Sequence, residues 1–152
     1  MSNWYSKVTS DLANVIGAIA YFEQQIAEAR FECSMKGNLE KQSRDMPGIV
    51  EHRFNQLQEL EAILEHLNTE MRKTRSRKFR QFLENYNRAL TSRDAEKFVD
   101  GEQEVVDLQY IINDFSLVRN KFMGIIKALE TKQFQINNVV KLRAAGLEDI
   151  SL

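Results

Sequence analysis

Residues 105–139 read VVDLQYIINDFSLVRNKFMGIIKALETKQFQINNV, and this stretch decides the fold. Its apolar residues recur every three or four positions, a spacing that places them on one face of an α-helix. We call such a row of apolar residues a seam. The seam of this helix comprises Val105, Leu108, Ile112, Phe115, Val118, Phe122, Ile125, Leu129, Ile136 and Val139, with Lys132 as a polar exception. Residues 100–103 resemble a capping box at its start, and the helix is predicted to end near Gly146.

The same spacing recurs in two earlier segments. A first helix is predicted over residues 10–36 and is ended by Gly37, and a second begins with Asp45 and Pro47. The first seam is Leu12, Val15, Ile19, Phe22, Ile26, Ala29 and Cys33. The second seam is Val50, Phe54, Leu57, Leu60, Leu64, Leu67 and Met71. The apolar pattern lapses after Met71, resumes at residue 79, and gives way to a turn or cap at residues 91–94.

These patterns predict an all-α fold of long amphipathic helices that form a helical hairpin or coiled-coil-like bundle, with no strand alternation. Residues 1–44 form an N-terminal amphipathic helix and connection, and residues 45–152 form the hairpin, within one domain overall. A helix over residues 47–90 is about 65 Å long, whereas a compact chain of this size has a radius of gyration of about 15 Å. Either the helices break after Met71, or the protein is elongated and buries its seams in a homo-oligomer. We favour the oligomer.

Composition excludes several classes of protein. The chain has 152 residues, of which 43% are hydrophobic, and a single proline, which excludes a disordered chain and disfavours an all-β fold. The single cysteine, Cys33, excludes an internal disulfide framework and predicts a reducing compartment, the cytoplasm. Because Cys33 lies on the first seam, we interpret it as a small buried hydrophobe. The apolar run at residues 12–22 is interpreted as a helix face and not as a signal peptide.

No catalytic or metal-binding motif is present in the sequence. Di-iron bundles use Glu-x-x-His pairs, but Ile49 and Ile63 occupy the positions three residues before the two histidines, His52 and His66. There is no glycine-rich phosphate loop and no pair of cysteines. We therefore expect no enzyme activity, no cofactor and no metal site.

The formal net charge of −1 conceals blocks of opposite sign. Residues 72–93 hold eight basic side chains and one acidic one, whereas residues 94–114 hold one basic and seven acidic ones. The densest block, RKTRSRKFR at residues 72–80, distributes six cations around the helix at 100° per residue. Two interpretations stay open: the block faces an anion, or the acidic residues 94–107 fold back and neutralise part of it.

Cations beside aromatic residues are typical of proteins that bind single-stranded nucleic acid, where phosphates meet the cations and bases stack on the rings. The aromatic residues after the basic block either stack on bases in this way or continue the core seam. The predicted DNA-binding residues are Arg72, Lys73, Arg75, Arg77, Lys78, Phe79, Arg80, Tyr86 and Arg88.

From residue 46 to about residue 146, the order of features resembles the UvsY family of phage recombination mediators. The resemblance rests on Met46-Pro47 before a long helix, RKFRQF at residues 77–82, LQY at 108–110, QFQINN at 133–138 and RAAG at 143–146. It implies a non-enzymatic, homo-oligomeric factor in DNA recombination and repair that binds single-stranded DNA through a basic motif within residues 72–80. It also implies that the protein helps to load a RecA-type recombinase past the single-strand-binding protein, in the cytoplasm of a phage-infected host. Residues 1–44 have no counterpart in this pattern.

Two other functions compete with this one. A helical adaptor or inhibitor, for example a phage accessory protein, would use the basic block on an acidic protein partner. A coiled-coil spacer without a ligand is disfavoured, because its charges would be distributed evenly along the helices.

Overall fold

The computed structural model describes residues 3–85 and 89–146. Within these residues five α-helices pack together and no strand occurs, which confirms the predicted all-α class. The helices are α1 (Trp4–Ser10), α2 (Val15–Glu32), α3 (Leu39–Asn85), α4 (Ser92–Asp100) and α5 (Gln103–Ala144), and a 3₁₀ turn, Leu12–Asn14, joins α1 to α2. In this part of the chain, none of the helices has the length and apolar character needed to cross a lipid bilayer.

The core lies between α2, α3 and α5. Helices α3 and α5, about 70 Å and 63 Å long, run antiparallel along each other, and α2 packs beside α5. All ten apolar residues of the predicted α5 seam are buried. Phe22 of α2 meets Phe122 of α5 edge to face, with ring centroids 6.0 Å apart. The three seams therefore find partners within one chain, and the homo-oligomer stays a prediction.

The first predicted helix, over residues 10–36, is shorter than expected and is preceded by a separate helix. Asp11 interrupts it with an extended backbone (φ −154°, ψ 118°), and its carboxylate accepts a hydrogen bond of 2.9 Å from the amide of Ala13. Because the chain turns here, α1 folds onto α3 and buries Val8 completely. The helix then ends at Glu32, and Gly37 lies in the connection to α3 with a φ of +86°.

The second predicted helix begins earlier than its predicted start at Asp45 and Pro47. Asn38 caps it: its side-chain oxygen accepts a hydrogen bond from the amide of Lys41 at 2.9 Å. Helix α3 therefore starts at Leu39, and Pro47 lies inside it. The predicted boundary between residues 44 and 45 falls within this helix.

Helix α3 continues without a break past Met71 and through the basic block to Asn85. One position of its predicted seam is wrong: Phe54 is 49% exposed, and the neighbouring Arg53, only 3% exposed, points inward instead. The last part of α3 is covered by α4, a short helix that begins after Thr91. The Thr91 hydroxyl accepts a hydrogen bond from the amide of Asp94, which confirms the predicted cap.

Candidate nucleic-acid interface

The six cations of residues 72–80 divide between two sides of α3. Because each residue advances about 100° around the helix, four of them fall within an arc of about 140°. These four share one exposed face of α3 with Ser76, Gln81 and Glu84. We call them the outer cation face: Arg72, Lys73, Arg77 and Arg80. The other two, Arg75 and Lys78, lie on the side that faces α4 and the start of α5.

Three carboxylates at the junction of α4 and α5 pair with the basic block. We call Asp100, Glu102 and Glu104 the acidic corner. Arg75 Nη1 lies 2.5 Å from Asp100 Oδ1, and Lys78 Nζ lies 3.4 Å from one carboxylate oxygen each of Glu102 and Glu104. Glu104 also pairs with Arg77 of the outer cation face. The fold thus brings part of the predicted acidic segment onto the basic block, as one of the two interpretations from sequence requires.

The other residues of the outer cation face either pair with carboxylates of α3 itself or have no ionic partner among the described residues. Lys73 Nζ lies 2.7 Å from Glu70, and Arg72 Nη2 lies 3.1 Å from Glu65, both on the same helix. Arg80 is exposed and forms no ion pair with any other described residue. The paired cations of this face keep 50–68% of their side-chain surface in solvent. Exposed ion pairs contribute about 0.2–1 kcal/mol each, so a phosphate can replace such a carboxylate at low cost.

Glu104 pairs with two cations of the basic block. Loss of hydration raises the pKa of Glu104, but hydrogen bonds from Arg77 and Lys78 and the charges of both cations outweigh it. The pKa of Glu104 therefore lies below its ordinary value, because its charged form is stabilised by these two partners.

The two described aromatic residues in and just after the basic block, Phe79 and Phe82, face inward. Phe79 and Phe82 are half-buried and pack against the hydrophobic core, and Phe82 stacks on Phe98 of α4 with ring centroids 5.6 Å apart. To stack on a base, Phe79 would have to leave its contacts with the hydrophobic core. The remaining two predicted site residues, Tyr86 and Arg88, lie outside the described part of the chain.

A polar cluster inside the bundle was missed by the sequence interpretation. Arg53 donates two hydrogen bonds to the carboxylate of Glu32 and one each to the side-chain oxygens of Gln25 and Gln56. The available signal was spacing, because Arg53 and Gln56 precede the buried Leu60 by seven and four residues. This spacing was not recognised, because neighbouring apolar residues were assigned to the seam instead.

Lys132, the polar exception in the α5 seam, belongs to the same region. It is 7% exposed, and its ammonium group donates a hydrogen bond of 2.7 Å to the main-chain carbonyl of Glu32, at the end of α2. Burial lowers the pKa of Lys132, although the neighbouring Cys33 and Glu32 act in the opposite direction. Cys33 itself is half-buried, and burial raises the pKa of its thiol. Lys132 thus satisfies a carbonyl at the C-terminus of α2 that has no partner within the helix.

Within the described ranges, no group of three or more His, Cys, Asp or Glu side chains is arranged to hold a metal ion. Comparison of the chain with models of protein families, with curated proteins and with solved structures finds no match.

Proposed function

We propose that this protein is a non-enzymatic factor that binds single-stranded DNA, and that the outer cation face of α3 holds the phosphates. The observation that carries the proposal is the placement of Arg72, Lys73, Arg77 and Arg80 on one exposed side of a helix. Phosphate contacts by lysine and arginine supply sequence-independent affinity for nucleic acid. Because Phe79 faces inward and is not placed to stack on bases, we expect this affinity to be mainly electrostatic.

In its finer form the proposal is a recombination mediator that helps to load a RecA-type recombinase past the single-strand-binding protein. Its support is the resemblance to the UvsY family over residues 46–146 together with the cations of residues 72–80. A protein with this role acts in the cytoplasm, that of the host cell if a phage encodes it.

Fluorescence anisotropy with a labelled oligothymidylate and with a matched duplex tests the proposal between about 50 and 200 mM salt. Full use of the four cations would give a log–log slope of affinity against salt of about −3 for the single strand, and fewer phosphate contacts would give a shallower slope. Replacing all four residues of the outer cation face by glutamine should abolish most of the binding and flatten the slope. The matched control replaces four exposed cations elsewhere, Arg30, Lys127, Lys141 and Arg143, and should bind nearly as well as the parent. Equal losses in the two variants would contradict the proposal.

A second candidate function is that of a helical adaptor or inhibitor that binds an acidic protein. The pairing of Arg75, Arg77 and Lys78 with carboxylates of the acidic corner favours it, since protein carboxylates already fit these cations. The same anisotropy assay separates the two candidates. An acidic peptide that binds the parent more tightly than oligothymidylate does would favour the adaptor.

We also propose that the protein is a homo-oligomer. Its support is apolar surface on α5 that no helix of the described chain covers: Tyr110, Leu117 and Phe134 are 65%, 55% and 71% exposed. Multi-angle light scattering should give a particle mass that is a multiple of 17.7 kDa. Leu117→Glu should lower that mass, and a monomeric parent at micromolar concentration would contradict the proposal.

A further inference from the structure

We infer that the acidic corner is an internal competitor for the polyanion, so that Asp100, Glu102 and Glu104 set both the affinity of the basic block and its response to salt. The inference rests on the proposed binding of single-stranded DNA. It adds that part of the binding surface is already occupied by the chain's own carboxylates before DNA arrives.

The contacts that carry this inference join two separate parts of the chain. Glu104 alone reaches two cations, Arg77 on the outer cation face and Lys78 on the inner side. Asp100 holds Arg75 at 2.5 Å. These partners lie 25 to 27 residues apart in sequence, so the pairs form only when the helices are packed.

The charges of the block are nearly balanced in the folded chain. Five of its six cations pair with five carboxylates, and Arg80 has no ionic partner among the described residues. A phosphate that approaches Arg77 or Lys78 must therefore displace Glu104 or share the cation with it. The cost of that exchange lowers the affinity, and fewer phosphates are fully neutralised than six cations would allow.

The position of the acidic corner is fixed by helix ends. Asp100 is the last residue of α4, Glu102 is the N-cap residue of α5, and Glu104 lies in the first turn of α5. Negative charge is favoured at a helix N-terminus, so the N-terminus of α5 stabilises the charged carboxylates of Glu102 and Glu104. The competitor is thus a fixed part of the fold, and DNA displaces the side chains without unfolding a helix.

Neutralising one carboxylate at a time tests this inference. Glu104→Gln keeps the shape of the side chain and removes its charge, and Asp100→Asn does the same for the partner of Arg75. The matched control is Asp114→Asn, which removes the same charge from an exposed residue of α5. Asp114 lies about 15 Å from Glu104 along the helix, and it takes part in none of the ion pairs of the basic block. Circular dichroism verifies that each variant keeps its helix content.

Binding of labelled oligothymidylate is then measured across the same salt range. We expect Glu104→Gln to bind about two- to fivefold more tightly than the parent at low salt. Its log–log salt slope should be steeper by about 0.7, because one more cation is free to neutralise a phosphate. Asp114→Asn should change neither value appreciably. In an Arg77→Gln, Lys78→Gln background, Glu104→Gln should bring no gain, since the cations that it frees are gone.

The outcomes separate this inference from the proposed function. If the parent binds DNA and Glu104→Gln gains no more than Asp114→Asn, the competition is refuted and DNA binding stands. A weaker Glu104→Gln also refutes it, because Glu104 would then position the cations and not mask them. If neither the parent nor Glu104→Gln binds at low salt, the proposed function fails, and the inference fails with it.

Discussion

The guanidinium of Arg53 and the carboxylate of Glu32 form a bidentate ion pair inside the bundle. Arg53 Nε donates to Glu32 Oε2 at 2.8 Å, and Nη2 donates to Oε1 at 2.7 Å. Arg53 is 3% exposed and Glu32 28% exposed, so the pair is shielded mainly on the arginine side. Planar, two-bond pairing of this kind fixes geometry as well as charge, and here it joins the end of α2 to α3.

Removing the arginine from this pair should destabilise the protein. We expect Arg53→Ala to lower the free energy of unfolding by about 2–4 kcal/mol, because Glu32 and Gln25 lose their partner in a poorly hydrated site. The matched control is Arg44→Ala, on the same helix, whose side chain is 72% exposed. That change should stay within about 0.5 kcal/mol. Urea unfolding followed by circular dichroism measures both, and equal effects would show that the pair does not stabilise the bundle.

The buried ammonium of Lys132 should make stability rise with pH in the alkaline range. Its pKa in the folded protein lies below the ordinary value of 10.5, so the unfolded chain binds the proton more tightly. Between the folded and the unfolded pKa, this residue therefore adds to the free energy of unfolding as pH increases. Unfolding of the parent and of Lys132→Met, compared from neutral pH to about pH 10.5, isolates the contribution. A difference that does not change with pH would contradict the assignment.

Glu104 should titrate below the ordinary range of glutamate, and its pKa should rise when its partners are removed. Hydrogen bonds from Arg77 and Lys78 keep it charged, so its pairing is complete above its unfolded pKa and is lost as pH falls through the folded value. Carbon-detected NMR of the side-chain carboxyl measures this pKa directly. In Arg77→Gln the pKa should move up toward its ordinary value, whereas in Arg119→Gln it should stay as in the parent.

Phe79→Ala should lower the melting temperature while leaving DNA affinity unchanged. The ring packs against the core beside α4, and truncating a half-buried phenylalanine should cost about 1–3 kcal/mol. Leu83→Ala, on the same helix and 45% exposed, serves as the control and should cost less. Differential scanning calorimetry and anisotropy test both expectations. Lost affinity at an unchanged melting temperature would instead assign Phe79 to base stacking.

The sequence predicted the α5 seam completely, because apolar residues repeat there over ten positions and leave one face to bury. The sequence pattern placed Phe54 in the buried seam and missed its neighbour Arg53. Adjacent residues lie about 100° apart around a helix, so an error of one residue exchanges a buried position for an exposed one. A local pattern cannot reveal that Glu32, 21 residues earlier, supplies a partner for a buried charge. Likewise, the charge blocks left open whether the acidic segment folds back onto the basic one or the basic block faces an anion. The particular pairs depend on how α4 places the start of α5.

Helix α3 joins the basic block to the buried polar cluster around Arg53 without a break. Arg53, anchored to α2, and Arg77, on the outer cation face, belong to the same unbroken helix and lie about 36 Å apart along its axis. On the proposed DNA binding, a partner docked beside α2 and a strand bound at the outer cation face would contact the two ends of one continuous helical segment.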